Sequence, residues 1–339
     1  MMSAETQVVS DTRQKVPVPP AHRTDARRLT RAEFLRASVG VMLLATGTSA
    51  AEQALSGPAM RAGAMLTRPI PSTGEAMPVI GLGTWQVFDV GADPAARHSL
   101  REVLQLLLDS GGRIIDSSPM YGRAEAVIGD LLAEMGARPR AFLATKVWTT
   151  GSARGIEQMQ RSAELLRTEV IDLMQIHNLV DWRTQLATLR RMKTEGRIRY
   201  MGITHYTTDA LPELARILVT EPGIDFVQLG YSLATREPET ELLPAAAAHG
   251  IAVIINQPFE QGGLFRRMRG RILPDWAREI DCTSWAQLFL KYILAEPAVT
   301  CVIPATNNPE HMKDDLGAGF GRLPDPRQRQ QIRELWDTG

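Results

Sequence analysis

Short apolar runs, each bounded by turn residues, begin near Val79, Arg113, Phe142, Ile171, Tyr200, Phe226, Ala252 and Val299. From Arg113 to Ala252 they recur at a nearly constant step. The segments between them carry apolar residues at helical spacing, such as Leu100, Val103, Leu104, Leu107 and Leu108, or Leu186, Leu189 and Met192. A strand and a helix at every step means βαβ units with parallel strands. Eight of them predict an α/β fold, a single (β/α)₈ TIM barrel. A doubly wound open sheet would want a glycine-rich phosphate turn after its first strand, and Gly81-Leu82-Gly83 lacks the third glycine of that fingerprint. The wide last interval predicts an extra loop around Gln261–Pro274 and a helix over Ser284–Leu294. Met65–Arg68 and Glu75–Met77 flank Pro71-Ser72-Thr73-Gly74, which predicts an N-terminal β-hairpin plugging the barrel's N-terminal mouth.

The beginning of the chain follows no such pattern. Residues 1–26 are polar, with Pro17, Pro19 and Pro20, and read as disordered. Arg27, Arg28, Arg31 and Arg36 precede the apolar run Val39–Ala45, and the small residues Thr48–Ala51 follow it, which is the layout of an export signal. Thr30-Arg31-Ala32-Glu33-Phe34-Leu35 resembles the twin-arginine signal, with Ala32 where its second arginine is expected. The expectation is a leader over residues 1–51, a barrel over residues 65–335, and a periplasmic or otherwise exported protein, cytoplasmic if the leader is not functional.

Composition narrows the function. Among 339 residues, 38 Lys and Arg balance 38 Asp and Glu, so there is no basic excess to hold a nucleic-acid backbone. An apolar content of 44% is ample for a packed core. No stretch approaches the ~20 apolar residues that span a bilayer as a mature segment. Cys282 and Cys301 allow at most one disulfide, lack a CxxC spacing, and with the scattered histidines indicate no metal site. No protein partner is predicted.

The polar residues at the strand ends carry the chemistry, because barrel enzymes gather their active groups at the C-terminal face. The second strand runs into Asp116, with Tyr121 following in Asp116-Ser117-Ser118-Pro119-Met120-Tyr121-Gly122; the third ends at Lys146 and the fourth at His177. Taken singly, each has a structural explanation: a helix cap, a solvated strand end, a hydrogen-bonded rim residue. Together they suit proton transfer beside a polarised carbonyl. A tyrosine with a pKa near 10 is a poor acid or base at neutral pH unless its phenolate is stabilised. A neighbouring ammonium lowers that pKa, a carboxylate keeps the ammonium charged, and a neutral imidazole orients the substrate oxygen. None of these groups supplies an electron pair to carbon, so hydride must come from a cofactor.

At this point the sequence resembles the aldo-keto reductase superfamily over roughly residues 65–335. The matching pieces are Pro78-Val79-Ile80-Gly81-Leu82-Gly83-Thr84-Trp85, the Asp116…Tyr121-Gly122 loop, Lys146 and the Asp172–His177 strand. The resemblance implies a nicotinamide cofactor bound without a Rossmann fold, and a catalytic tetrad of Asp116, Tyr121, Lys146 and His177. It also implies that Thr204 and His205 stand where the family's Ser-Asn pair holds the carboxamide, with Gln228 as the glutamine partner. Asn256 occupies the place where an aromatic ring often stacks on the nicotinamide, so packing there is weaker or comes from Phe259. Ile303–His311 resembles the segment cradling the adenosine phosphate and ribose, with Thr306, Asn308 and His311 as its polar groups. Ala305 and His311 sit where NADP-preferring members place Lys and Arg, the usual readers of a 2′-phosphate. That leaves NADP and NAD nearly level, with NADP ahead only by the family's habit.

Trp85, Trp148 and Tyr231 follow strands and are expected to line the substrate pocket, while Met120, Met174, Met192 and Met201 fit a gap-filling core role. The expected reaction is nicotinamide-dependent reduction of an aldehyde or ketone to an alcohol, or its reverse, with Tyr121 as proton donor. The alternatives are a cofactor-binding regulatory barrel with little turnover, and a phosphate-binding lyase or isomerase that works without nicotinamide.

Overall fold

The computed structural model describes residues 63–338. The expected leader over residues 1–51 lies outside the described residues. A hairpin of β1 (Thr67–Pro69) and β2 (Ala76–Pro78) comes first, followed by β3 (Leu82–Gly83), α1 (Pro94–Asp109), β4 (Ile114–Asp116), α2 (Ala124–Glu134), β5 (Phe142–Val147), α3 (Ser152–Leu165), β6 (Ile171–His177), α4 (Trp182–Thr194), β7 (Ile198–His205) and α5 (Leu211–Thr220). The chain continues through β8 (Phe226–Gly230), α6 (Leu242–Ala248), β9 (Ala252–Asn256), α7 (Gly263–Arg267), α8 (Trp285–Leu294), β10 (Val299–Val302), α9 (Pro309–Gly317) and α10 (Pro326–Asp337). Strands β3 to β10 are paired in sequence order and all in parallel. Parallel bridges Ile80–Val302 and Gly83–Ala305 bring the two edges together, so the expected (β/α)₈ barrel is observed.

The strand starts match the expected ones within three residues. The largest offset is in the first strand, expected at Val79 and observed at Leu82. Val79 O and Gly81 N bond Val302 of β10, and pairing with β4 begins at Leu82. Gly81 makes this closure possible: a Cβ there would lie 2.9 Å from Ile114 Cβ and 3.0 Å from Ile303 Cγ2. The last interval holds the expected loop, containing the short α7, and the expected helix α8, capped by Ser284 accepting from Gln287 N at 3.1 Å.

Two apolar regions form the core. One lies between strands and helices, where α1 turns Leu100, Val103, Leu104, Leu107 and Leu108 inward. The other fills the N-terminal half of the barrel, with Phe142, Tyr200 and Phe226 packed on Ile70 and Met77 of the hairpin segment. Tyr200 bonds Thr73 Oγ1 at 2.9 Å and donates to Glu75 at 2.8 Å, so the hairpin is held as a plug in that mouth, as expected. Among the described residues, no helix is long and apolar enough to cross a membrane.

Candidate active site

Successive residues of a strand face opposite sides. The interior contacts of Ile114, Phe142, Leu173, Tyr200, Phe226 and Ala252 therefore fix what else points inward: Asp116, Lys146, Gln175 and His177, Thr204, Gln228, and Asn256. The interior is apolar where the strands begin and polar where they end. Gly202 leaves room between the two zones, since a Cβ there would sit 2.8 Å from Phe226 O.

Asp116 is the hub of the polar layer. Its Oδ2 accepts from Lys146 Nζ at 2.6 Å, and its Oδ1 from Gln175 Nε2 at 3.0 Å and Gln228 Nε2 at 2.8 Å. Lys146 also donates to Ser117 O at 2.7 Å. Burial alone would lower the lysine's pKa, but Asp116 and Tyr121 outweigh it and the pKa is raised, so Lys146 stays charged. Its ammonium lies 5.0 Å from the centre of the Tyr121 ring.

Tyr121 corrects one expectation. Burial pushes its pKa up, Lys146 pulls it down and Asp116 pushes it up again, and the net direction is upward. The sequence-based argument weighed the ammonium and missed the burial. The phenol is therefore protonated at neutral pH, the state a proton donor needs. His177 meets Tyr121 edge-on, with ring centres 5.9 Å apart at 84°. Burial, then Lys146 and His205, push the His177 pKa down to about 3, leaving a neutral imidazole.

These groups open on a cavity of about 360 Å³, walled by Trp85, Tyr121, His177, Thr204, Gln228 and Asn256 among others. A neighbouring cavity of about 620 Å³ shares Trp85, Gln257, Gln261 and Ala305 with it and extends to Phe259, Thr306 and His311. Among the described residues, neither cavity has a lysine or arginine in its wall.

Other expected site residues lie elsewhere. Tyr231 is fully buried within the protein, donating to Glu239 and accepting from Arg329, each at 2.6 Å, and lines neither cavity. Trp148 lies off the pocket because its backbone is tied to Gln158 of α3 on the barrel's outside. His205 lines neither cavity: its Nδ1 accepts from Thr207 N at 3.2 Å and its ring stacks on Tyr206. Asn308 caps α9, its side chain accepting from Glu310 N at 2.9 Å. Sequence reasoning missed Gln175, although it stands two residues before His177 on the same face. It also missed Tyr206, Asn178 and Gln257, which enter the cavity wall from loops.

Groups that move a proton but hold no reducing equivalent define an acid–base site, which carries out a redox reaction only with a bound cofactor. The family of the chain decides which class it serves. The profile of the Aldo/keto reductase family matches residues 79–337, and the chain belongs to that family. It is accordingly an NAD(P)-dependent oxidoreductase. Similar curated proteins include the aldo-keto reductase YhdN of Bacillus subtilis (strain 168), 27% identical over 214 residues, which are 59% of this chain and 63% of that protein, just under two thirds of its length. The methylglyoxal reductase YeaE of Escherichia coli (strain K12) is 26% identical over 237 residues, 67% of this chain and 80% of that protein. Among solved structures, an aldo-keto reductase from Klebsiella pneumoniae in complex with NADPH superposes with a TM-score of 0.67 at 28% identity, covering 80% of this chain and 96% of that one.

Proposed function

We propose that the protein reduces an aldehyde or ketone to its alcohol with Tyr121 as the proton donor to the carbonyl oxygen. The observation that carries this reading is Tyr121 at the cavity wall with the His177 ring edge-on at 5.9 Å on the same wall and the Lys146 ammonium 5.0 Å from its ring centre behind it. Residues of the groove fit a nicotinamide dinucleotide. Asn256 and Asn178 line the cavity, and the Oδ1 of each is buried and has no hydrogen-bond partner among the described residues, so that each can accept from a carboxamide NH₂. Thr204, Gln228 and Asn256 would hold the nicotinamide end. Thr306, His311 and the N-terminus of α9 would hold the adenosine phosphates, because a helix N-terminus favours anions, and Phe259 would give that cavity an apolar wall. When bound, the reduced nicotinamide supplies the hydride. His177 then holds the carbonyl oxygen, Tyr121 releases its hydroxyl proton to that oxygen, and Lys146 and Asp116 steady the phenolate left behind.

The test pairs cofactor binding, read by fluorescence quenching, with cofactor oxidation over a panel of aldehydes and ketones. Methylglyoxal belongs on that panel because YeaE is named for it. Tyr121→Phe should keep cofactor affinity and lose about 10²–10⁴-fold in turnover, the worth of a positioned acid. Near-wild-type turnover refutes the role of Tyr121. Cofactor binding without turnover on any carbonyl supports a regulatory barrel instead.

A further inference from the structure

Ser118 lies two residues beyond Asp116, buried in the loop that also carries Tyr121. Its Oγ is 3.0 Å from His177 Nδ1 and accepts the backbone N–H of Met120 at 3.3 Å. The loop is fastened at both sides: Ser118 O accepts from Tyr121 N at 3.0 Å, and Ser117 O from Lys146 Nζ at 2.7 Å. We propose that Ser118 is a positioning residue that fixes His177 as the Nε2–H tautomer, so that the imidazole is a hydrogen-bond donor toward the substrate carbonyl. The proposal rests on the reading of the cavity as the carbonyl site.

The tautomer follows from counting donors and acceptors. Ser118 Oγ already takes one N–H, which leaves its own proton to be placed, and Nδ1 is the acceptor the structure gives it. A neutral imidazole has one N–H; if Nδ1 accepts, the proton is on Nε2. In the reverse arrangement the serine proton would have no acceptor among the described residues, and the Nε2 lone pair would face the lone pairs of a carbonyl oxygen. A carboxylate in place of Ser118 would select the opposite tautomer and favour the charged ring. A hydroxyl does neither, in keeping with the depressed pKa of His177.

Nitrogen NMR of histidine-labelled protein, with the His177 signals assigned by a His177→Gln variant, reads the tautomer directly and without turnover. Wild type should show a protonated, pyrrole-type Nε2 and a bare, pyridine-type Nδ1. Ser118→Ala should mix the two tautomers and lower kcat by about tenfold or more, the size of loss that follows removal of the group behind a metal-bound histidine. Its affinity for cofactor should be unchanged, and Ser118→Thr, which keeps the hydroxyl, should restore both readings. A protonated Nδ1 in the wild type, or a Ser118→Ala variant with unchanged tautomer or turnover, overturns the proposal. The wild-type spectrum decides the tautomer even if the alanine variant does not fold. It is also independent of the Tyr121→Phe result, so failure of the carbonyl-site reading is told apart from failure of the serine's role.

Discussion

Replacing Lys146 by Met removes one charge from the most buried ion pair of the site. The two side chains are 1% and 4% exposed, and Nζ is 2.6 Å from Asp116 Oδ2. At that distance and an effective dielectric near 20, their attraction is about 6 kcal/mol, which offsets much of the cost of stripping both charges of water. Without the lysine, Asp116 keeps only the amide donors of Gln175 and Gln228. Breaking a buried pair in this way costs about 3–5 kcal/mol, because the remaining charge is left uncompensated. Lys146→Met should therefore lower unfolding stability by that amount in urea titration at neutral pH. The double variant Lys146→Met/Asp116→Asn carries neither charge and should recover about half of the loss or more, since replacing both partners is often close to neutral. Neither variant should carry out carbonyl reduction, because no positive charge stands beside Tyr121. A single-variant loss below about 1 kcal/mol would be the behaviour of an exposed pair and would refute the argument. So would a double variant no more stable than the single one. Turnover regained by the double variant would make the role of Lys146 structural.

Acid should weaken the fold through His177, whose pKa falls from 6.5 to about 3 on folding. Between those values the unfolded chain binds a proton that the folded one does not. The contribution is fully present above 6.5 and is lost as pH falls toward 3, at up to about 1.4 kcal/mol per pH unit. Urea titrations at several pH values should give a steeper slope for wild type than for His177→Gln, and equal slopes would refute the burial argument. At the other end of the groove, His311→Arg should tighten NADP by about 1–2 kcal/mol through a charge-assisted bond and leave NAD unmoved. Fluorescence titration checks this, and an equal change for both cofactors would mean that His311 does not meet the adenosine end.

The periodic parts of the molecule were legible in the sequence. Strand alternation is a property of the local backbone, so spacing predicted the barrel and put Asp116, Lys146 and His177 at one end of it, while Thr204, Gln228 and Asn256 were legible through the family resemblance. The hairpin plug was equally local, two short strands around a Pro/Gly turn. What lies past the strand ends follows no period. The sequence offered Trp85 first and Trp148 and Tyr231 after it, and of the three only Trp85 lines the cavity, with Trp148 tied to α3 and Tyr231 bonded to Glu239 and Arg329. The tertiary structure also set Tyr206 in the cavity wall in place of His205, and brought Ser118 onto His177 from a separate loop. It reversed the sign of the Tyr121 shift as well, since the water excluded from a side chain depends on every element packed around it and not on the residue that supplies the nearest charge.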